Sequence, residues 1–151
     1  RSSIIVVASL ISQKPNLAGI CRTAEIMRAE LLCLDDITVV KTAGFQSVSV
    51  SSEVWMPLHE VKEPSIKDFL REKKAEGYTI IALEQSSSSV VLGTYAFPEK
   101  CVLLLGREKE GVDADLLVEV DQVIEIPQYG YTRSLNVHVS ASLLLYEYTK
   151  Q

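Results

Sequence analysis

The sequence predicts an α/β domain, a mostly parallel sheet flanked by helices, and three observations predict it. Short runs rich in Val, Ile and Leu, such as Ile4 to Leu10 and Lys100 to Leu105, lack polar alternation, as strands buried on both faces require. Between them lie stretches with apolar residues at three- and four-residue steps, the spacing of one helix face. The two kinds of segment alternate along the whole chain, which is the pattern of strand–helix–strand units. At 151 residues, 47% hydrophobic and 23% charged, the chain suits a single domain, residues 1–151, with no internal repeat.

Taken in order, Ile4 to Leu10 is the first strand. Asn16 is placed to cap a helix running to about Glu30, with Leu17, Ile20, Ala24, Met27 and Leu31 as its core stripe. Leu31 to Leu34 and Ile37 to Val40 read as one or two short strands around the Asp35-Asp36 turn. Ser51 or Ser52 can cap a short helix before Pro57. Ser65 starts a charged helix that stops at Gly77, in the place of a C′ glycine. Tyr78 to Leu83 is the next strand, Ser86 to Ser89 a loop, and Lys100 to Leu105 a further strand followed by Gly106 and a polar loop to Asp113. Gln122 to Ile126 is a strand closed by Pro127. A loop containing Gly130 then leads to Ser134, the expected N-cap of a last helix reaching about Tyr148.

Composition excludes several function classes. No apolar run approaches the ~18 residues that span a bilayer, so no membrane partner is expected. Arg1 leads almost directly into a strand, which leaves no signal peptide visible and reads as the start of a piece of a longer protein. Cys21, Cys33 and Cys101 are odd in number, lack metal-ligand spacing and sit among apolar residues. Buried thiols in a reducing compartment, cytoplasm or nucleus, are expected, and no metal site. A net charge of −5 argues against strong non-specific nucleic-acid binding by the whole domain.

In parallel α/β sheets, ligands bind beyond the carboxyl ends of strands, and three such ends are unusual. The first is Asn16-Leu-Ala-Gly-Ile-Cys-Arg22. Arg22 falls opposite the core stripe, beside Ala18, Gly19, Ile26 and Ala29, where a guanidinium needs a partner or an anionic ligand. Surface exposure, or pairing with Glu25 or Glu30, is the competing reading. The second is Leu103-Leu-Leu-Gly-Arg-Glu108-Lys-Glu-Gly111. Its Gly-x-Glu-x-x-Gly spacing exposes backbone to a close ligand, but a plain turn explains it equally well. It lacks the dinucleotide fingerprint and the Walker lysine, which argues against a dehydrogenase or an NTPase. The third is Ile126-Pro-Gln-Tyr-Gly130-Tyr-Thr-Arg-Ser134-Leu-Asn136-Val, in which Ser134 and Asn136 can both face the crevice.

These three segments, in this order, resemble the motifs of the SpoU/TrmH family of SPOUT RNA methyltransferases. Asn16 and Arg22 match the first, Gly106, Glu108 and Gly111 the second, and Ile126-Pro, Gly130 and Ser134-Leu-Asn136-Val the third. The resemblance implies S-adenosylmethionine as cofactor, no metal, and methylation of a ribose 2′-hydroxyl in RNA, with guanosine in transfer RNA expected. It further implies a deep trefoil knot in the C-terminal third and a homodimer whose active sites combine both subunits. The catalytic set it implies is Arg22, Asn16, Glu108, Ser134 and Asn136. The cofactor set is Leu105, Gly106, Ile126, Ser134 and Leu135, with mostly backbone meeting the adenosine. In that scheme Arg22 grips phosphate and stabilises the developing alkoxide. Lys14, Arg28, Arg107, Lys109 and Arg133 would form a local basic patch, or else be solvated charges. One departure is His138, which stands where the family motif commonly has a small residue and is expected to pack in a core or an interface. The alternative function is a cofactor-binding, catalytically weak RNA-interaction module, against which the intact set of five polar residues argues.

Overall fold

Four consecutive β-branched residues, Ile4–Val7, form strand β1, and all four are fully buried. A strand covered on both faces needs a layer above and a layer below, and the rest of the chain supplies them. In the computed structural model, which describes residues 1–132 and 134–151, the other strands are β2 (Leu31–Leu34), β3 (Leu58–Glu60), β4 (Thr79–Leu83), β5 (Val90–Val91), β6 (Cys101–Leu104) and β7 (Gln122–Glu125). The helices are α1 (Lys14–Ile26), α2 (Ala43–Ser49), α3 (Ser52–Trp55), α4 (Ile66–Ala75), α5 (Ala114–Leu117) and α6 (Val137–Lys150). The sheet order is β3-β2-β1-β6-β4-β7-β5, and every strand pairing is parallel.

Successive strand residues point to opposite faces, so the sheet serves two cores. Ile4, Val6, Leu32, Ile81 and Leu103 pack under α1, α2 and α6 through Leu17, Ile20, Phe45 and Leu144. Ile5, Val7, Ile80, Val102 and Leu104 pack under α4 and α5 through Ile66, Phe69, Leu70 and Leu116. The connection leaving β1 therefore crosses one face and the connection leaving β6 crosses the other. Since β1 and β6 are neighbours, a crevice opens between their carboxyl ends, the place where such sheets bind ligands. A second topological feature lies further along. β4 and β5 are joined by residues 84–89, yet β7, formed later in the chain, lies between them.

Several elements depart from expectation. Ile37–Lys41 is a 3₁₀ helix where a strand was expected. The Asp36 carboxylate accepts from the Thr38 backbone N–H and hydroxyl, which winds the turn, and β3 takes the place beside β2. α1 stops at Ile26, four residues short of Glu30, because Arg28 turns left-handed (φ 59) and returns the chain to β2. β1 ends at Val7, before Leu10. Ser51 and Ser65 stand at the N-cap positions of α3 and α4, but neither side chain makes a capping bond. The end of α4 follows the expectation. Gly77 (φ +95) donates to the Lys74 carbonyl and Tyr78 to that of Lys73, the paired bonds of a Schellman stop. All three cysteines are buried and free, and burial pushes the Cys33 and Cys101 thiols up to about 12, which makes them unreactive. Among the described residues no helix is long and apolar enough to cross a membrane.

The two cores meet on the central strands, so stability should be most sensitive there. Leu103 on β6 is fully buried. Leu103→Ala is expected to cost about 3 kcal/mol, the usual loss for a buried leucine that leaves a cavity. Chemical denaturation at neutral pH measures it, and a loss below about 1 kcal/mol would contradict this placement.

Candidate active site

The crevice between β1 and β6 is closed by a carboxylate. α1 begins at Lys14 with Gln13 as N-cap and Pro15 in its first turn, where proline's fixed φ suits a helix start. Asn16, expected as the cap, is instead inside the first turn. Gln13 supplies no side-chain cap, and Glu108, from the loop after β6, binds the chain at the helix entry. Its carboxylate accepts from the backbone N–H of Gln13 at 2.9 Å and of Ser12 at 3.4 Å, and from Asn16 Nδ2 at 3.4 Å. Partial burial alone would raise the Glu108 pKa. The hydrogen bonds from Gln13, from its own backbone, and from Ser12 and Asn16 outweigh it and hold the carboxyl below its ordinary value.

The same chain of bonds continues into the third segment. Asn136 Nδ2 donates to Asn16 Oδ1 at 2.9 Å, while Asn136 Oδ1 accepts from the backbone N–H groups of His138 at 2.8 Å and Val139 at 3.3 Å. Asn136, not Ser134, is therefore the N-cap of α6. Two residues earlier, Ser134 is exposed and free of capping duty. Glu108, Asn16 and Asn136 thus link the three segments in one hydrogen-bonded line.

Glycines let the second segment close tightly. A Cβ on Gly106 would lie 2.6 Å from Val112 N and 2.8 Å from Gly111 Cα, so the chain can double back there only without one. Arg107 and Gly111 exchange backbone hydrogen bonds across the intervening turn. Leu105 is fully buried in the apolar layer and donates its N–H to Val7 O at 3.0 Å, which ties the start of this segment to β1.

Beside this cluster is a cavity of about 140 Å³ at the ends of β4 and β7, lined by Leu83, Glu84, Gln85, Ile124, Ile126, Ser134, Leu135 and Ser140 among others. It adjoins a second of about 260 Å³ between Pro127 and Leu135, and Ser134 and Leu135 belong to both. Together they approach the size of an ordinary small-ligand cleft, apolar with a few polar groups. Of the expected cofactor residues, Ile126, Ser134 and Leu135 meet here, whereas Leu105 and Gly106 lie outside the lining.

Arg22 is not brought to the cluster. It stands six residues after Asn16, roughly 9 Å further along α1 and about 120° around it. Its side chain is exposed and pairs with neither Glu25, which binds Arg1, nor Glu30, which binds the Tyr78 hydroxyl. Its neighbours explain its surroundings. The His138 ring from α6 lies on Gly19, where a Cβ would come 2.5 Å from Cε1, and Nε2 is hydrogen-bonded to Thr23 Oγ1 at 3.0 Å. Ser142 adds a bond to Thr23 Oγ1 at 3.1 Å. Burial lowers the His138 pKa, so the ring is a neutral wedge between α1 and α6. The departure from the family motif is a packing residue, with Gly19 as its seat.

Among the described residues, two of the cations expected in the basic patch are placed elsewhere. Arg107 is bound by both Asp113 oxygens at 3.1 Å and by Glu63, away from the crevice. Arg28 is at the far end of α1, its carbonyl held by Ser2. Lys14 and Lys109 remain exposed near the site, and Arg133 lies outside the described residues. Sequence reasoning passed over Glu84 and Ser140. Glu84 carried a usable signal, since it follows directly on the Tyr78 to Leu83 strand.

Comparison with known proteins bears on the family and the fold. The chain matches the SpoU rRNA Methylase family over residues 3–146. It is 51% identical over 150 residues to tRNA (guanosine(18)-2'-O)-methyltransferase TARBP1 of Mus musculus, covering 99% of this chain and 10% of that protein. It is 43% identical over 152 residues to the tRNA (guanosine(18)-2'-O)-methyltransferase of Saccharomyces cerevisiae, covering 100% of this chain and 11% of that one. The chain thus spans about a tenth of the length of these relatives. The crystal structure of the A. aeolicus TrmH/SpoU tRNA modifying enzyme superposes with a TM-score of 0.87 at 28% identity, covering 100% of this chain and 76% of that one. The AdoMet-bound rRNA methyltransferase from Sinorhizobium meliloti shares the fold, with a TM-score of 0.85 at 24% identity over 99% of this chain and 57% of that one.

The Glu108 bonds predict a pH dependence. A carboxyl held below its ordinary value stabilises the fold fully above about pH 4.3, the unfolded reference. That contribution is lost as pH falls through the folded value. Glu108→Gln should therefore be less stable than the parent chain at neutral pH, with the gap narrowing in acid. Unfolding free energies between pH 7 and pH 3 measure it, and a gap that is constant or widens in acid would refute it.

Proposed function

The chain belongs to the SpoU rRNA methylase family, and from that premise we propose that it methylates a ribose 2′-hydroxyl of RNA using S-adenosylmethionine. The substrate is transfer RNA and the base guanosine, a choice supported by the names of the two relatives above. The observation that carries the reading is the line Glu108–Asn16–Asn136. It gathers three separate segments at one crevice, next to a cavity that suits a nucleoside.

The residues present fit that cofactor. Ile126 and Leu135 offer apolar walls for the adenine, Gly106 offers close-packed main chain, and Ser134 offers a free hydroxyl. The cofactor supplies an activated methyl group, so the chain has to orient the ribose oxygen and exclude competing acceptors. Asn16 and Asn136 are engaged at both ends of their amides, and each keeps one Nδ2 hydrogen for a substrate. Glu108 holds both in register through α1. Arg22, with its planar two-pronged donor, binds phosphate and stabilises charge developing on the ribose oxygen.

Arg22 does this in a homodimer. Ile26 on α1 is 65% exposed, and Val139, Leu143 and Tyr146 form an exposed apolar stripe on α6. Ile26 follows Arg22 by one turn of α1, and a partner laid on this surface would receive that arginine at the partner's crevice. The same reading makes residues 1–151 the methyltransferase domain of a longer protein, supported by the tenth of each relative that the chain spans. It also includes a trefoil knot in the C-terminal third, supported by the insertion of β7 between β4 and β5. A cytoplasmic or nuclear location suits the free buried thiols.

Two outcomes are expected. In sedimentation at tens of micromolar the chain should behave as a dimer and Leu143→Asp as a monomer; a monomeric parent chain would end the two-subunit site. Arg22→Ala should lower methyl transfer to transfer RNA by about 10²–10³, the usual cost of one transition-state donor, and leave S-adenosylmethionine affinity unchanged. Labelled-methyl transfer followed by mapping of the modified ribose decides it. Retention of more than about a tenth of the activity would make Arg22 a docking residue.

A further inference from the structure

Glu84 is the first residue beyond β4, and it lines the cavity shared by Ile126, Ser134 and Leu135. Its carboxylate is held from one side. Oε1 accepts from the Val112 backbone N–H at 3.3 Å and lies on the bare Cα of Gly111, where a Cβ would overlap it. Gly111 is left-handed (φ +76) and packs in turn on Gly106. The loop that closes on Gly106 therefore also fixes the Glu84 carboxylate. Among the described residues Oε2 accepts no hydrogen bond.

The rest of the lining narrows what that oxygen can receive. Leu83, Ile124, Ile126 and Leu135 are apolar, and the other carboxylate, Glu125, accepts from the Ser89 hydroxyl. Glu84 is thus the carboxylate pinned to the Gly106–Val112 loop with an oxygen to spare, in a pocket whose walls suit a flat apolar ring. A ribose brings two adjacent hydroxyl donors. Dinucleotide-binding sheets divide the work in the same way, with a glycine turn admitting the backbone and an acidic residue taking the ribose hydroxyl. We infer that Glu84 accepts hydrogen bonds from the ribose hydroxyls of S-adenosylmethionine and so sets the nucleoside against the Gly106–Val112 loop. The inference rests on the cofactor reading given above.

Calorimetry on the chain tests it with three ligands: S-adenosylmethionine, S-adenosylhomocysteine, and the 2′,3′-dideoxyribose counterpart of the latter. Glu84→Gln keeps the size of the side chain and an acceptor for Val112. It should weaken both diol-bearing ligands by about tenfold or more, as expected for a lost hydrogen bond to a charged group. The dideoxy ligand should bind parent and variant alike. Gly111→Ala, which pushes the carboxylate aside, should reproduce this pattern, with unfolding midpoints reporting that both variants fold. Unchanged affinity for S-adenosylhomocysteine in Glu84→Gln would overturn the inference. A loss confined to S-adenosylmethionine would also overturn it, because Glu84 would then balance the sulfonium charge. So would an equal loss for the dideoxy ligand, which would make Glu84 a wall of the pocket only. Absence of binding by the parent chain would instead remove the cofactor reading itself, and this inference with it.

Discussion

The Glu108 carboxylate sits at the entry to α1, on the backbone N–H groups of the N-cap Gln13 and of Ser12 before it, and the arrangement of the crevice depends on those bonds. A helix start leaves its first N–H groups without partners, and these form a weakly positive end that favours an anion. Here the helix does not cap itself, since Gln13 makes no side-chain bond. The carboxylate at its entry arrives from a loop almost a hundred residues later in the chain. A requirement of local helix chemistry is thereby met by a tertiary contact, and that contact sets the distance between the first and second segments. Asn16 and Asn136 extend it to the third, where Asn136 in turn caps α6. The polar residues at the crevice therefore have structural work as well as any chemistry, and their fixed orientation is a consequence of it.

What makes room for this line is the absence of side chains at a few points. Gly106 admits the returning backbone of Gly111 and Val112, and Gly111 admits the carboxylate of Glu84. On the other side of α1, Gly19 admits the ring of His138. In each case two segments distant in sequence approach more closely than any Cβ would permit. Close-packed interiors have no slack to absorb an added methyl. The spacing of the site is therefore set by packing, and the hydrogen bonds then hold it.

Much of this was legible before the structure. Continuous apolar runs identified β1, β2, β4 and β6, because a doubly covered strand has no polar face to disguise it. β3 and β5 were not legible. They have three and two residues, edge positions and mixed polarity, and they exist because the neighbouring strand offers them bonds. The caps failed for a related reason. Asn16 and Ser134 are good capping residues, and local chemistry alone would use them. α1 starts two residues before Asn16, and Asn136 caps α6 in place of Ser134; only the folded chain brings Glu108 within reach of the helix entry. The three segments themselves were readable as an ordered set, although no spacing in the sequence tells that Asn16, Glu108 and Asn136 touch while Arg22 stands apart.

The charge distribution bears on how such a domain meets RNA. With a net charge of −5 it gains nothing from long-range attraction to phosphate. Several of its cations are already committed: Arg107 to Asp113 and Glu63, Arg1 to Glu25, and Arg71 and Lys74 to the buried Glu119. These pairs hold loops and helix ends together, and breaking one to bind a phosphate would strand its carboxylate. Arg22 differs in being exposed and uncommitted, in sitting next to the apolar surface of α1 and α6, and in lying away from its own crevice. An exposed cation without a carboxylate partner, at the edge of an apolar face, is the feature on which the two-subunit proposal rests. Among the described residues the fold commits Arg1, Arg71, Lys74 and Arg107 to its own ion pairs and leaves Arg22 outside them, so a phosphate met at Arg22 strands no carboxylate.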